Sequence, residues 1–139
     1  MYFSSHLSAG LLAGALVKNP SLALGLGLIS HGALDSIPHH DYGTLRAACL
    51  DLGLGLVTLR FFRTSFPNLS LALFWGAFGA TVPDLEVVLK HLFPNYKLKG
   101  IYPSHNGKIK HPQRSFPCGV LAQFIMAIIC LSLTYRILK

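Results

Sequence analysis

The sequence predicts an all-α, polytopic membrane bundle of about five short helices, and three observations predict it. Hydrophobic residues make up 52% of the chain and charged residues only 12%, whereas a water-facing domain of this size needs roughly a quarter charged. Thr64 to Pro83 and Pro117 to Tyr135 contain no Lys, Arg, Asp, Glu or His, and such runs of about 18 or more residues can cross a bilayer as helix. Mean hydropathy is +0.50. Lipid is therefore the expected solvent, and the 139 residues are expected to form one integral-membrane domain, 1–139.

Phe3 to Val17 reads as a first helix rich in Ala, Gly and Leu, closed by the turn Lys18-Asn19-Pro20. No basic stretch precedes it, so it reads as mature structure rather than a signal peptide. Ser21 to Asp35 is a second helix, with Pro38 soon after its end. Thr44 to Arg63 is a third, and Leu69 to Leu92 a fourth that Pro83 must interrupt. The fifth runs from about Phe116 to Leu138. At 1.5 Å per residue the first two span only about 22 Å each, so they are short or partly re-entrant. Gly10 with Gly14, and Gly76 with Ala80, recur at helical spacing, which lets helix backbones approach closely in lipid. Cys49, Cys118 and Cys130 lie in apolar segments and read as small buried hydrophobes.

Threading these helices alternately through a membrane gathers the chemistry at one end. His6, His31, His39, His40, His91, His105 and His111 all fall toward the N-terminal side, with Asp35, Asp41, Asp51, Asp84 and Glu86. The opposite side receives Lys18, Arg60, Arg63, Arg136 and Lys139 and no acid. The formal charge of +7 suits anionic headgroups or phosphate, and in a membrane protein it also serves as an orientation signal, so no nucleic-acid partner is expected.

The densest stretch is HGALDSIPHHD, His31 to Asp41. His31 and Asp35, four apart, share one helix face and can reach one ion. Pro38 then turns the chain and brings His39, His40 and Asp41 back toward the helix end. Imidazole and carboxylate together suit a divalent metal: zinc first, with manganese or iron as alternatives. Asp35 sits at a helix C-terminus, where the macrodipole disfavours an anion and a bound cation would reverse the penalty. The plainer reading is a polar cap flanked by interfacial histidines.

In TVPDLE, Thr81 to Glu86, Thr81 caps a restarted helix, Pro83 sits in its first turn, and both acids favour its dipole. An acid inside a membrane segment is nevertheless costly and usually faces a cation. Asp84 is therefore read as a ligand or catalytic acid, and Glu86 as ligand, general base or cap. In PSHNGKIKHP, Pro103 to Pro112, Asn106-Gly107 signals a turn that returns His105 and His111 toward the bundle, to complete a metal shell or act as general acid. Lys97, Lys99, Lys108, Lys110 and Arg114 around them suit a phosphate or lipid headgroup, or simply set topology. His6 is a ligand or a cap. Asp51 is a candidate to hold a ligand histidine, with Arg46 as a rival partner. His91 reads as interfacial.

The order of these motifs, a first helix carrying His6, then HGALDSIPHHDY, then GATVPDLE, then a loop histidine pair, resembles the small bacterial membrane-bound metal-dependent hydrolases. These include the group described as LexA-binding, inner-membrane-associated putative hydrolases. The likeness covers most of the chain through short motifs only. It departs at Asp84-Leu85-Glu86, where relatives carry an acidic pair followed by His, and at Ser104-His105-Asn106. The resemblance implies a bacterial inner-membrane location and a metal set of His31, Asp35, His39, Asp84 and His105, with His6.

The expectation is hydrolysis of a lipid or phosphoester, or of another small molecule, at the membrane interface by a metal-activated water. Asp84, Glu86 or His40 would be the acid or base, and Lys108, Lys110, His111 and Arg114 would bind substrate. The alternative is a metal-binding transporter or sensor without turnover. Oligomeric state is not legible.

Overall fold

A computed structural model describes residues 1–66, 70–93, 95 and 99–139. The side chain of His91 and all of Lys97, both read above from the sequence, lie outside the described residues. Among the described residues six helices follow in order: α1 (Phe3–Val17), α2 (Pro20–Asp35), α3 (Leu45–Ser65), α4 (Leu71–Thr81), α5 (Asp84–Leu92) and α6 (Cys118–Leu138). Among the described residues there is no strand, only an isolated parallel bridge between His39 and Gln113.

Local chemistry sets most boundaries. Lys18 adopts a left-handed conformation at φ 52° and donates its N–H to the Gly14 carbonyl, ending α1. Asn19 then accepts from the Leu22 N–H, with Pro20 opening α2. Thr44 accepts from Ala47 N–H to start α3, and Ser70 from Ala72 N–H to start α4. The expected fourth helix is two helices, bent by 44° where Val82 and Pro83 intervene. Thr81 does not cap α5. Its hydroxyl donates back to the Ala77 carbonyl at 2.9 Å within α4.

α1 is the hub, packing against α2, α3, α4 and α6, while α2 also lies along α4. The small residues seen in the sequence make this approach. A Cβ on Gly76 of α4 would meet the Gly10 carbonyl of α1, and one on Gly27 of α2 would meet the Gly76 carbonyl. Leu7, Leu11, Phe62, Leu73 and Ala77 form an apolar cluster beside this crossing.

The first turn of α1 is tied down from three directions. Its early N–H groups have no helical acceptor, so Tyr2 N donates to Gln123 Oε1 of α6 at 2.6 Å, Phe3 N to Tyr42 Oη at 2.7 Å, and Ser4 N to Asp51 Oδ2 of α3 at 3.0 Å. Asp51 also accepts from the Tyr42 hydroxyl at 2.6 Å. Asp51 thus anchors α1 rather than orienting a histidine or pairing with Arg46, as the sequence suggested.

Among the described residues only α6, with 21 residues, is by itself long and apolar enough to cross a membrane; α4 and α5 pass that test only as a bent pair. α1 is too short at 15 residues, and α3 carries Arg46, Asp51, Arg60 and Arg63. The expected bundle of about five spans is thus reduced, by length and composition, to one or two. Cys130 is buried, but Cys49 and Cys118 are exposed, against expectation.

Candidate metal centre

Asp35 ends α2, and four histidines from three segments close around it. His31 Nε2, one turn earlier on α2, lies 3.1 Å from Asp35 Oδ2. His6 Nε2 on α1 lies 3.2 Å from Asp35 Oδ1. From the segment after α5, His105 Nε2 and His111 Nδ1 each approach Asp35 Oδ2 to 3.6 Å. The Ser104 hydroxyl donates to the same oxygen at 2.6 Å. His6, His31 and Asp35 are fully buried.

The tautomers of two of these rings are set by their second nitrogen. A carbonyl oxygen only accepts, so His31 Nδ1, 2.7 Å from the Ala80 carbonyl, carries the proton there. His105 Nδ1 lies 2.6 Å from Glu86 Oε1 and donates likewise. The neutral rings then present Nε2 lone pairs toward each other at 3.4 Å. Asp84 Oδ1 stands 3.9 Å from both Nε2 atoms. His31 Nε2, His105 Nε2 and Asp35 Oδ2 thus face one another, a repulsive arrangement unless a cation or protons lie between them. Their separations of 3.1, 3.4 and 3.6 Å bracket the roughly 3.3 Å edge of a tetrahedron with metal–nitrogen bonds near 2.0–2.1 Å. His6 stacks on His31 with ring centroids 3.9 Å apart. His6 Nδ1 makes no hydrogen bond, and His6 Nε2 and Asp35 Oδ1, though 3.2 Å apart, lack hydrogen-bond geometry; buried polar atoms left in that state are uncommon. His6, His31 and Asp84 offer a further triad of atoms within 4.8 Å of one another. Buried His and Asp groups here can therefore hold a metal ion; the donors do not single out zinc.

Burial disfavours the charged form of His105, but Asp35, Glu86 and Asp84 outweigh it and raise its pKa above the ordinary imidazole value. Asp41 is held well below the usual carboxylate range: burial opposes this, and His111, His39 and the α-amino group of Met1 override it.

His31, Asp35, Asp84 and His105 converge as the sequence suggested, with His6 behind them. His39 lies one step away, its Nε2 2.9 Å from His111 Nε2. Three readings narrow. His111, read as a metal-shell residue, general acid or substrate contact, groups with Asp35 and His39 as a donor, because the Pro112 carbonyl accepts from His39 N–H at 3.2 Å and draws the two segments together. His40, expected to be catalytic, turns its Nδ1 to the Arg114 carbonyl at 3.3 Å, since consecutive residues of an extended segment point to opposite sides. Glu86 receives Ile101 N–H at 2.7 Å besides His105, so it orients a ligand and anchors the loop rather than standing as a free base. Lys108, Lys110 and Arg114 are exposed on that loop.

Ser104 and Tyr102 carry roles the sequence did not reveal, and Asp41, read only as part of the His31–Asp41 stretch, takes a defined place beside His39. The Tyr102 hydroxyl bridges the Leu28 carbonyl and the Gly32 N–H, clamping the loop to α2 beside His31. Asp41 follows His39 by two positions, which was the available signal for it; nothing marked Ser104 or Tyr102. No family model matches the chain, nor does any curated protein or any solved structure.

Proposed function

We propose that the chain is a membrane-embedded, metal-dependent hydrolase of the inner-membrane type its motifs resemble, acting on a lipid or phosphoester at the interface. The observation that carries this is the set of fixed Nε2 lone pairs of His31 and His105 facing Asp35 and Asp84. Such a group supports a divalent ion, which we take to be zinc with manganese or iron as alternatives, that would lower the pKa of a bound water toward neutrality. His31, Asp35 and His105 would hold the ion, while Glu86 keeps His105 in its productive tautomer. Asp84, 24% exposed where His31 and Asp35 are sealed, is placed to meet solvent as outer ligand or proton acceptor. Lys108, Lys110 and Arg114 on the same loop offer charge to an anionic headgroup.

The distribution of polarity supports lipid as solvent. α6 turns Gly119, Gln123 and Thr134 inward, whereas Leu121, Phe124, Ile125, Ile128, Ile129 and Leu133 face out. On α2, Leu22, Leu26 and Ile29 face outward while His31 and Asp35 are buried. Polar residues inside and large apolar residues outside suit a bilayer and oppose the pattern of a water-solvated bundle. Exposed apolar side chains on α3, α4 and α5 extend that surface, so short and bent segments would be accommodated in a polytopic arrangement.

The test is expression in a bacterial host, alkaline carbonate extraction, metal analysis, and assay on chromogenic phosphomonoesters, phosphodiesters and phospholipid vesicles. The expected result is retention in the membrane pellet, stoichiometric metal, and turnover abolished by chelator and by H31N. Protein that holds metal but turns over none of these substrates would instead be a metal handler. Protein without metal would remove the reading altogether.

A further inference from the structure

The geometry points to a second cation position next to the first, formed by His39, His111 and Asp41 with Asp35 between the two. It rests on the metal centre proposed above, since Asp35 belongs to both. His39 Nδ1 lies 2.6 Å from the Ile37 carbonyl and donates to it, so the neutral ring presents its Nε2 lone pair. That lone pair faces Asp41 Oδ1 at 3.2 Å and His111 Nε2 at 2.9 Å. His111 Nε2 in turn lies 3.4 Å from Asp41 Oδ2, and its Nδ1 lies 3.6 Å from Asp35 Oδ2. A proton on His111 satisfies one of these contacts and leaves the others facing acceptor to acceptor.

Two further observations separate this position from the first. The triads His31–Asp35–His105 and Asp35–His39–His111 each present donor atoms within 4.8 Å and share only Asp35, so each position keeps two histidines of its own. Charge favours two ions as well. Asp35, Asp41, Asp84 and Glu86 carry four negative charges, against which the Met1 α-amino group, 3.0 Å from Asp41 Oδ1, supplies one positive charge. With or without that amine, the sum exceeds what one divalent ion neutralises, and a charge cluster centred on the fully buried Asp35 is costly without counter-ions. Two ions held on either side of Asp35 would supply the two-metal chemistry that suits displacement at a phosphoester, which narrows the substrate class of the proposed hydrolase to that group.

Purified full-length protein in detergent, loaded with Mn2+ alone and desalted, is measured by elemental analysis and electron paramagnetic resonance. Wild type is expected to hold two equivalents with an exchange-coupled spectrum. H111Q and D41N, at the partly exposed edge, are each expected to fall to one equivalent with an uncoupled six-line spectrum, whose survival shows the fold intact. Wild type holding one uncoupled equivalent overturns the second position and leaves the first standing. Two equivalents unaffected by both substitutions also overturn it. No bound manganese or zinc in wild type ends the underlying metal reading.

Discussion

Replacing Glu86 with Gln separates an orienting role from a chemical one. Glu86 accepts through Oε1 from His105 Nδ1 at 2.6 Å and through Oε2 from Ile101 N–H at 2.7 Å. Glutamine keeps one acceptor oxygen and turns the other into a donor, so either His105 or Ile101 meets an N–H instead. If His105 loses its partner, its ring is free to rotate or change tautomer, withdrawing the Nε2 lone pair from Asp35 and Asp84. Loss of such a partner to a ligating histidine costs about 10- to 100-fold in metal affinity, or ~1.4–2.7 kcal/mol. The assay is competition for Zn2+ against a calibrated chelator, beside hydrolysis at saturating metal. The expected result is weaker binding within that range, with turnover largely restored when metal is in excess. Unchanged affinity with abolished turnover would make Glu86 a general base, as its sequence position first suggested. Abolished binding would make it a ligand. Either result refutes the orienting role.

Metal affinity should rise with pH, because a proton and an ion compete for His105 Nε2. The His105 pKa is raised above its ordinary value near 6.5, so affinity should still be climbing above that pH, by up to tenfold per unit for one displaced proton, and level off only past the raised value. E86Q should move that plateau downward; calorimetry in buffers of differing ionisation enthalpy reads the protons released, and a wild-type plateau at or below pH 6.5 contradicts the arrangement. Gly76→Ala places a Cβ against the Gly10 carbonyl, so it should destabilise by about 1–3 kcal/mol and lower the melting temperature in detergent. Gly25→Ala, with nothing within 4 Å of the added atom, should be neutral or stabilising; equal behaviour of the two variants would mean that the α1–α4 crossing is misassigned.

Helix content was legible because it rests on local features: turn residues at Lys18-Asn19-Pro20 and the break at Pro83. The gathering of His31, Asp35, Asp84 and His105 was expected from threading five spans, yet it is packing and hydrogen bonds that bring them together, since length and composition allow only one or two spans among the described residues. His31 with Asp35 followed from i,i+4 spacing alone.

The tertiary structure decided what spacing cannot reach. His39 and His40 are neighbours in sequence, yet backbone pairing with Pro112 to Arg114 turns one ring into the cluster and the other onto a carbonyl. Glu86 and Asp84 lie on the same first turn of α5, but Glu86 hydrogen-bonds His105 Nδ1 at 2.6 Å whereas Asp84 stands 3.9 Å from its Nε2, because the loop N–H groups of Ile101 and Tyr102 lie over Glu86. His111 joins Asp35 across 76 residues of chain, a contact set by how the loop folds back. Periodicity and caps act within a turn or two of helix; which lone pairs finally oppose one another depends on long-range packing and hydrogen bonds that no local pattern encodes.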